Sequence, residues 1–308
     1  MDFPVVAVLA ATLTIATPLV FGALGALLGE RAGVLNLGIE GTLYAGAFVG
    51  FLVASRTDSL AIATLAAVVV GALAGALMAL LTVTLGVNQH VAGIGTTLLL
   101  VAACDFTNRL LFGSGERTVT AKFDRWFSGG GILAQYPMTF VAFLLLAPAV
   151  WWVLRSTGAG LRLTAVGENP EAADTAGISV ARTRWTALVV GGALMALGGS
   201  FLTLSVLGTF TLDIVSGRGW ICIALVIFGR WRVWPVVLGA LLRLLRRAAA
   251  AAGDHVGVRL HSQRAAHRAA LPRGHRRPGD PRPRGALPGL VPDPLPPGLT
   301  RYFSRRPS

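Results

Sequence analysis

The chain has 308 residues, of which 54% are hydrophobic and only 13% are charged, and its mean hydropathy is +0.67. Since a soluble domain carries about 25% charged residues, this composition leaves too little polar surface for a water-soluble protein. Most of the formal net charge of +13 comes from the C-terminal segment, because residues 241–308 hold 14 of the 27 basic residues and 3 of the 14 acidic ones. The charge therefore indicates no partner for the main body.

Long apolar segments predict an all-α fold, a polytopic bundle of transmembrane helices. About 20 apolar residues cross the hydrocarbon core of a bilayer. The candidate spans are residues 4–28, 32–54, 59–86, 91–112, 138–154 and 185–208. A further apolar segment, residues 213–242, is interrupted by the sequence GRWR at 229–232, which predicts two half-length helices. Broken helices at membrane depth need surrounding protein or a water-filled cavity, so we expect this segment near a pathway.

Glycines recur at four-residue spacing in or at the end of three of these spans. The pairs are Gly25 with Gly29, Gly46 with Gly50, and Gly71 with Gly75. This spacing places both glycines of a pair on one helix face and lets a neighbouring backbone approach closely. Packing within the bundle is the preferred interpretation, and a seam to a second copy is the alternative.

The longest polar loop between spans predicts a short helix. Asn169 suits the N-cap, Pro170 suits the first helical position, and Glu171 suits the positive end of the helix dipole. Gly177 is placed to end the helix. The small residues between these ends are Ala172, Ala173 and Ala176. They predict a face that a partner's groove would hold, whereas a connector that only covers the bundle is the alternative.

Four polar residues within apolar segments are candidates for lining a translocation pathway. They are Asn36, Glu40, Asp105 and Asn108. Their spacings of four and three residues predict that each pair shares one helix face. Charges at membrane depth usually face a cavity or a partner. For Asn36 and Glu40, pathway lining and interhelical hydrogen bonding are equal alternatives. Asp105 is expected closer to the outer interface.

Four stretches in chain order resemble the permease subunits of ABC importers for simple sugars and nucleosides, which form a superfamily with branched-chain amino-acid permeases. They are ERAGVLNLGIEG at residues 30–41, VNQH at 87–90, GENPEAADTAGI at 167–178 and GWICIALVIFGRW at 219–231. By this resemblance the ATPase-coupling loop consists of Gly167, Glu168, Asn169, Pro170, Glu171, Ala172, Ala173, Ala176 and Gly177.

The resemblance implies a multi-pass subunit of the cytoplasmic (inner) membrane that is not an enzyme. Its expected partners are a cytoplasmic ATP-binding subunit, a second permease subunit in a homo- or heterodimer, an external substrate-binding protein and membrane lipid, but no nucleic acid. The chain has no G-x-x-x-x-G-K-[ST] loop, so ATP would be hydrolysed by the partner and no cofactor is expected here. Cys104 and Cys222 lie in apolar runs without a metal-ligand pattern, and we predict buried thiols and no metal site.

Orientation follows from the resemblance rather than from charge. Residues 155–185 and the region 109–136 each carry four basic residues, and one span separates them, so the positive-inside rule gives a tie. Assigning the coupling loop to the cytoplasm places residues 113–136 outside.

The function that the resemblance implies is ATP-driven import of a nucleoside or a simple sugar. The first alternative is a secondary transporter for a small polar solute, coupled to protons or sodium through Glu40 and Asp105. The second is a membrane scaffold that transports nothing, in which changing Glu40 would alter stability alone.

The family pattern stops near Leu242, which predicts a permease domain over residues 1–242 and a basic, Arg/Pro-rich tail over 243–308. Residues 242–249 can be encoded by CTTCGGCTTCTTCGACGCGCTGCA followed by G, and reading one base later gives FGFFDALQ, an apolar helix start. We therefore predict a tail that is out of frame. The alternative is a natural tail, disordered by composition, that would bind anionic lipid or nucleic acid.

Overall fold

The structure is a computed structural model that describes residues 5–113, 122–126 and 134–243, with side chains from residue 9 onward. The described part is helical and contains no strand, which confirms the all-α class. Its helices are α1 Val5–Arg31, α2 Ile39–Thr57, α3 Leu60–Thr84, α4 Gln89–Phe112, α5 Pro137–Ser156, α6 Gly158–Glu168, α7 Pro170–Thr175, α8 Val180–Leu207, α9 Arg218–Phe228 and α10 Val233–Arg243. The predicted tail lies outside the described residues, apart from Arg243.

Five of the described helices are long and apolar enough to cross a membrane, namely α1, α3, α4, α5 and α8. The predicted span over residues 32–54 is wrong at its start, because α2 begins only at Ile39. Gly33 adopts a left-handed φ of +80° directly after α1, and the amide of Gly38 is held by Asn36. These two local features end one helix and delay the next, so residues 32–38 form a turn.

The predicted break in the last apolar segment is confirmed. α9 ends at Phe228 and α10 begins at Val233, and between them Arg230 and Trp231 have positive φ values of 52° and 53°. Residues 213–217 of the predicted segment are not helical. Each half-length helix has 11 residues, or about 16 Å of rise, so neither one alone crosses the hydrocarbon core.

Helix α8 lies at the centre of the bundle and packs closely against α1, α2 and α3. A Cβ atom on Gly25 would lie 2.4 Å from the carbonyl oxygen of Gly191, and one on Gly71 would lie 2.3 Å from that of Gly192. A Cβ on Gly46 would meet the carbonyl oxygen of Ala196 at 2.2 Å. The four-residue glycine spacing therefore serves packing within the chain, which is the preferred interpretation of the sequence.

The helix ends nearest to α7 lie together at one end of the bundle, which we call the α7 end. The backbone at Gly167 touches the end of α1, where a Cβ would lie only 2.0 Å from the carbonyl oxygen of Arg31. Arg184 of α8 donates through Nε to the carbonyl of Ala32 at 3.1 Å. The amide of Leu35 donates to Oε1 of Gln89, at the start of α4, at 2.9 Å. The α7 end thus joins α1, α4, α6 and α8.

Candidate functional site

The N-terminus of α9 begins inside the bundle. A Cβ atom on Gly22, in the middle of α1, would contact both Leu43 of α2 and the Sγ atom of Cys222 in α9. Cys222 is fully buried, and its thiol donates to the carbonyl of Leu19 at 3.5 Å. The first backbone N–H groups of a helix lack intrahelical partners, so starting a helix here requires an acceptor from elsewhere in the protein.

Glu40, in the first turn of α2, supplies that acceptor. Its Oε1 accepts from the amide of Gly217 at 2.7 Å, and its Oε2 accepts from the amide of Gly219 at 2.6 Å. A carboxylate at a helix N-terminus gains both from charge-assisted hydrogen bonds and from the positive end of the helix dipole. Since a Cβ on Gly219 would lie 2.5 Å from the backbone nitrogen of Glu40, only glycine lets the two elements approach this closely.

The segment that leads into α9 re-enters the bundle along α2. The Phe210 ring meets the rings of Tyr44 and Phe48 edge-on, each at 5.2 Å between centroids. Ser216 and Gly217 then take positive φ values of 46° and 78°, which turn the chain into α9. The chain therefore comes back from the far end of α2 to the level of Glu40.

The guanidinium of Arg218 binds the backbone at the end of this re-entrant segment. Its Nη1 donates to the carbonyls of Ile214 at 2.7 Å and Val215 at 3.0 Å. A cation that holds these carbonyls stabilises the turn immediately before the helix. Sequence reasoning missed Arg218, although its place directly before the GWICIALVIFGRW motif was a signal available in the sequence.

The first of the two predicted pairs of pathway residues does not share a helix face as its spacing suggested. Asn36 and Glu40 do not share a helix face, because Asn36 precedes α2. The Asn36 side chain is only 3% exposed, and its Oδ1 accepts from the amide of Gly38 at 2.8 Å. Glu40 makes the interhelical hydrogen bonds that were one of its alternatives, and its contact with a pathway stays a prediction.

Asp105 and Asn108 both lie on α4, as their spacing predicts, and both are half-buried. The hydroxyl of Tyr44 donates to Oδ1 of Asp105 and so links α2 to α4. This hydrogen bond gives Asp105 a partner within the protein. A substrate contact at either residue stays a prediction.

Helix α7 has the caps that the sequence predicts. Oδ1 of Asn169 accepts from the amide of Ala172 at 3.0 Å. At the other end Gly177 has a φ of +80°, and the amide of Ile178 donates to the carbonyl of Ala173 at 3.0 Å. Both ends of this short helix are therefore fixed by hydrogen bonds within the loop.

The exposed face of α7 differs from the predicted one. Ala172 and Ala176 are exposed, but Ala173 is only 4% exposed and packs against the bundle. The reason is geometric, since successive helical residues point about 100° apart and one of three nearby alanines must face inward. Three exposed carboxylates surround the two outer alanines: Glu168, Glu171 and Asp174. The surface offered to a partner is thus small and acidic.

Within the described residues, no group of three or more His, Cys, Asp or Glu side chains is placed to hold a metal ion. Cys104 and Cys222 are buried free thiols, as predicted. The site is therefore built from backbone amides, carboxylates and tightly packed glycines.

Comparisons with known proteins agree with this architecture. The family model for the permease component of branched-chain amino acid transport systems matches residues 8–252. TsgC13 of Haloferax volcanii, provisionally named as a glucose ABC transporter permease, is 36% identical over 245 residues, which cover 75% of this chain and 73% of TsgC13.

Two further relatives carry nucleoside names. The nucleoside ABC transporter permease NupC of Lactococcus lactis is 31% identical over 81% of this chain and 83% of its own length. The guanosine ABC transporter permease NupQ of Bacillus subtilis is 33% identical over 75% of this chain and 77% of its own length. No solved structure matches the chain. The chain therefore belongs to the family of permease components of branched-chain amino acid transport systems, which are multi-pass membrane transport proteins rather than enzymes.

Proposed function

We propose that this chain is the membrane-spanning subunit of an ATP-driven importer in the cytoplasmic membrane, and that it translocates a nucleoside or a simple sugar. The observation that carries the proposal is the capped helix α7, which rests on the bundle through Ala173 and exposes its remaining face. A separate cytoplasmic ATP-binding subunit would hold α7. A second permease subunit and an external substrate-binding protein would complete the importer.

The contacts of α7 supply a path by which a motion in the ATPase would reach the middle of the membrane. Gly167, just before α7, abuts the carbonyl of Arg31 at the end of α1. Arg31 in turn donates through Nε to the carbonyl of Trp231 at 2.9 Å, in the turn between α9 and α10. Displacement of α7 would therefore push on the half-length helices. The opposite end of α9 is the N-terminus capped by Glu40.

The substrate class rests on the relatives' names and on the chemistry of the predicted pathway residues. The names of the relatives divide between nucleosides and glucose. Both substrate classes are uncharged and rich in hydroxyl groups. Asn108 and the second carboxylate oxygen of Asp105 are acceptors of the kind that hydroxyl groups hydrogen-bond, and this suits either substrate class.

A bulky residue on α7 tests the proposal. We expect Ala172→Trp to prevent the ATP-binding subunit from co-purifying with the chain out of native membranes, and to abolish uptake. Ala159→Trp is the matched control, because Ala159 is an equally exposed alanine at the α7 end, on α6. It should leave both the complex and uptake in place.

Two results would contradict the proposal. One is an ATP-binding subunit that stays bound to Ala172→Trp as firmly as to the control. The other is uptake that needs no ATPase and collapses with the proton or sodium gradient, which would favour the secondary transporter. In the structure both carboxylates that such a transporter would use, Glu40 and Asp105, are already engaged by protein donors.

A further inference from the structure

A cavity of about 580 Å³ opens at the α7 end, between the ends of α1 and α5 and the start of α10. Three arginines and three tryptophans dominate its wall: Arg31, Arg155, Arg232, Trp151, Trp231 and Trp234. No acidic residue among the described ones lines it. The cavity is therefore both cationic and aromatic. The function proposed above uses the hydrogen bond between Arg31 and Trp231 in its wall but assigns the cavity no ligand.

Two of the three arginines are held in place by contacts with the cavity wall itself. Arg31 donates through Nε to the carbonyl of Trp231 at 2.9 Å, and the guanidinium of Arg155 lies 5.5 Å from the ring centroid of Trp151. The indole N–H of Trp231 donates to Oε2 of Glu30 at 2.7 Å, which fixes that ring. A preorganised set of guanidinium groups favours binding of a multivalent oxyanion such as a phosphate.

The position of the cavity along the membrane normal points to lipid as the source of that anion. Arg31 is the last residue of α1, Arg155 lies in the last turn of α5, and Arg232 directly precedes α10. The ends of membrane-spanning helices lie at headgroup level, where tryptophan is enriched. Trp231 and Trp234 are each 43% exposed there. Basic pockets between transmembrane helices at this level bind anionic headgroups.

We propose that this cavity is a binding site for the headgroup of an anionic phospholipid. The arginines would hold the phosphate, and the tryptophan rings would lie against the glycerol backbone and the first part of the acyl chains. The inference rests on the membrane location of the chain and not on its substrate or on an ATPase. Loss of lipid binding and loss of ATPase binding are therefore separate outcomes.

A neighbouring cavity provides a matched control. It measures about 360 Å³, also lies at the α7 end, and contains Arg162 and Arg182, but no tryptophan lines it. The rest of its wall consists of aliphatic and small polar residues. Replacing these two arginines changes the net charge of the α7 end by as much as replacing Arg155 and Arg232. The two double variants thus separate a built site from general surface charge.

The test uses the full chain reconstituted in phosphatidylcholine vesicles that contain 10% of one brominated lipid, with tryptophan fluorescence as the readout. Bromine quenches a tryptophan only at close range, so bulk lipid gives the same background for every headgroup. We expect brominated phosphatidylglycerol to quench more than brominated phosphatidylcholine. An excess of unbrominated phosphatidylglycerol should reverse the difference, and 10 mM inorganic phosphate should not.

The variants then assign the quenching to the cavity. An arginine placed beside a bound anionic headgroup contributes about fivefold to the affinity, so Arg155→Gln with Arg232→Gln should weaken the phosphatidylglycerol preference roughly thirtyfold. Arg162→Gln with Arg182→Gln should keep it within twofold. Equal losses in the two double variants would overturn the proposal. Equal quenching by both lipids in the unaltered chain would also overturn it, and this result does not depend on how the variants fold. Relief of quenching by phosphate would overturn it as well, because it would indicate a site for a free anion.

Discussion

Replacing Glu40 by leucine would remove both acceptors from the N-terminus of α9. The amide of Gly219, which is buried, and that of Gly217, which is half-buried, would then lose the oxygens that now lie 2.6 and 2.7 Å away. A buried donor left without a partner costs about 1–3 kcal/mol, so the loss at Gly219 should destabilise the fold by about 1–3 kcal/mol, and the half-buried amide of Gly217 should add less. Glu40→Gln keeps one acceptor oxygen and loses the charge, so about half of that loss is expected.

Two measurements on protein in mild detergent would check this magnitude. The first is the temperature at which half of the monodisperse protein is lost, which should fall in the order unaltered chain, Glu40→Gln, Glu40→Leu. The second is hydrogen exchange in the peptide that contains Gly217 and Gly219, which should accelerate in the same order. Glu168→Leu is the control, because Glu168 is an exposed carboxylate of the α7 loop, and it should change neither quantity.

A Glu40→Leu variant as stable as the unaltered chain, with unchanged exchange at Gly217 and Gly219, would refute the capping role. If that variant also lost uptake, Glu40 would act on the substrate instead. Stability and flux together thus separate the two alternatives that the sequence left open for this carboxylate.

Two other predictions concern the packing of α8 and the tail. Gly71→Ala places a methyl group 2.3 Å from the carbonyl oxygen of Gly192, and it should lower the free energy of unfolding by about 1–3 kcal/mol and the thermal midpoint with it. Gly95→Ala, where nothing lies within 4 Å of the new methyl group, should leave stability unchanged or slightly raised in the same assay. Accurate sequencing of the coding DNA around Leu242 should reveal a missing or extra base, and C-terminal peptides should be apolar. A continuous frame with Arg/Pro-rich peptides would contradict this.

Much of the fold could be read from local sequence, because the bilayer restricts a spanning segment to a long apolar helix. The caps of α7 were predictable for a similar reason. Asn169, Pro170 and Gly177 each act on backbone groups within a few residues of themselves. The break at residues 229–232 was predictable because two arginines in an apolar run are incompatible with a continuous span.

The start of α2 was predicted incorrectly, since hydropathy does not register a turn made of small and apolar residues. Residues 32–38 contain no charge, so their composition continues the apolar run while Gly33 and Asn36 redirect the backbone. The face of α7 was also only partly right. Burial of Ala173 depends on how α7 rests on the bundle, and no pattern within six residues contains that information.

The sequence by itself determined that this chain is a helical membrane protein, where most of its helices lie, and to which family it belongs. Only the tertiary structure decided which helices the paired glycines contact, which amides Glu40 accepts from and which arginines share a cavity. Those partners are distant in sequence: Glu40 and Gly217 are separated by 177 positions. Hydropathy and helix periodicity describe one element at a time, whereas a buried hydrogen bond between elements requires that both be placed.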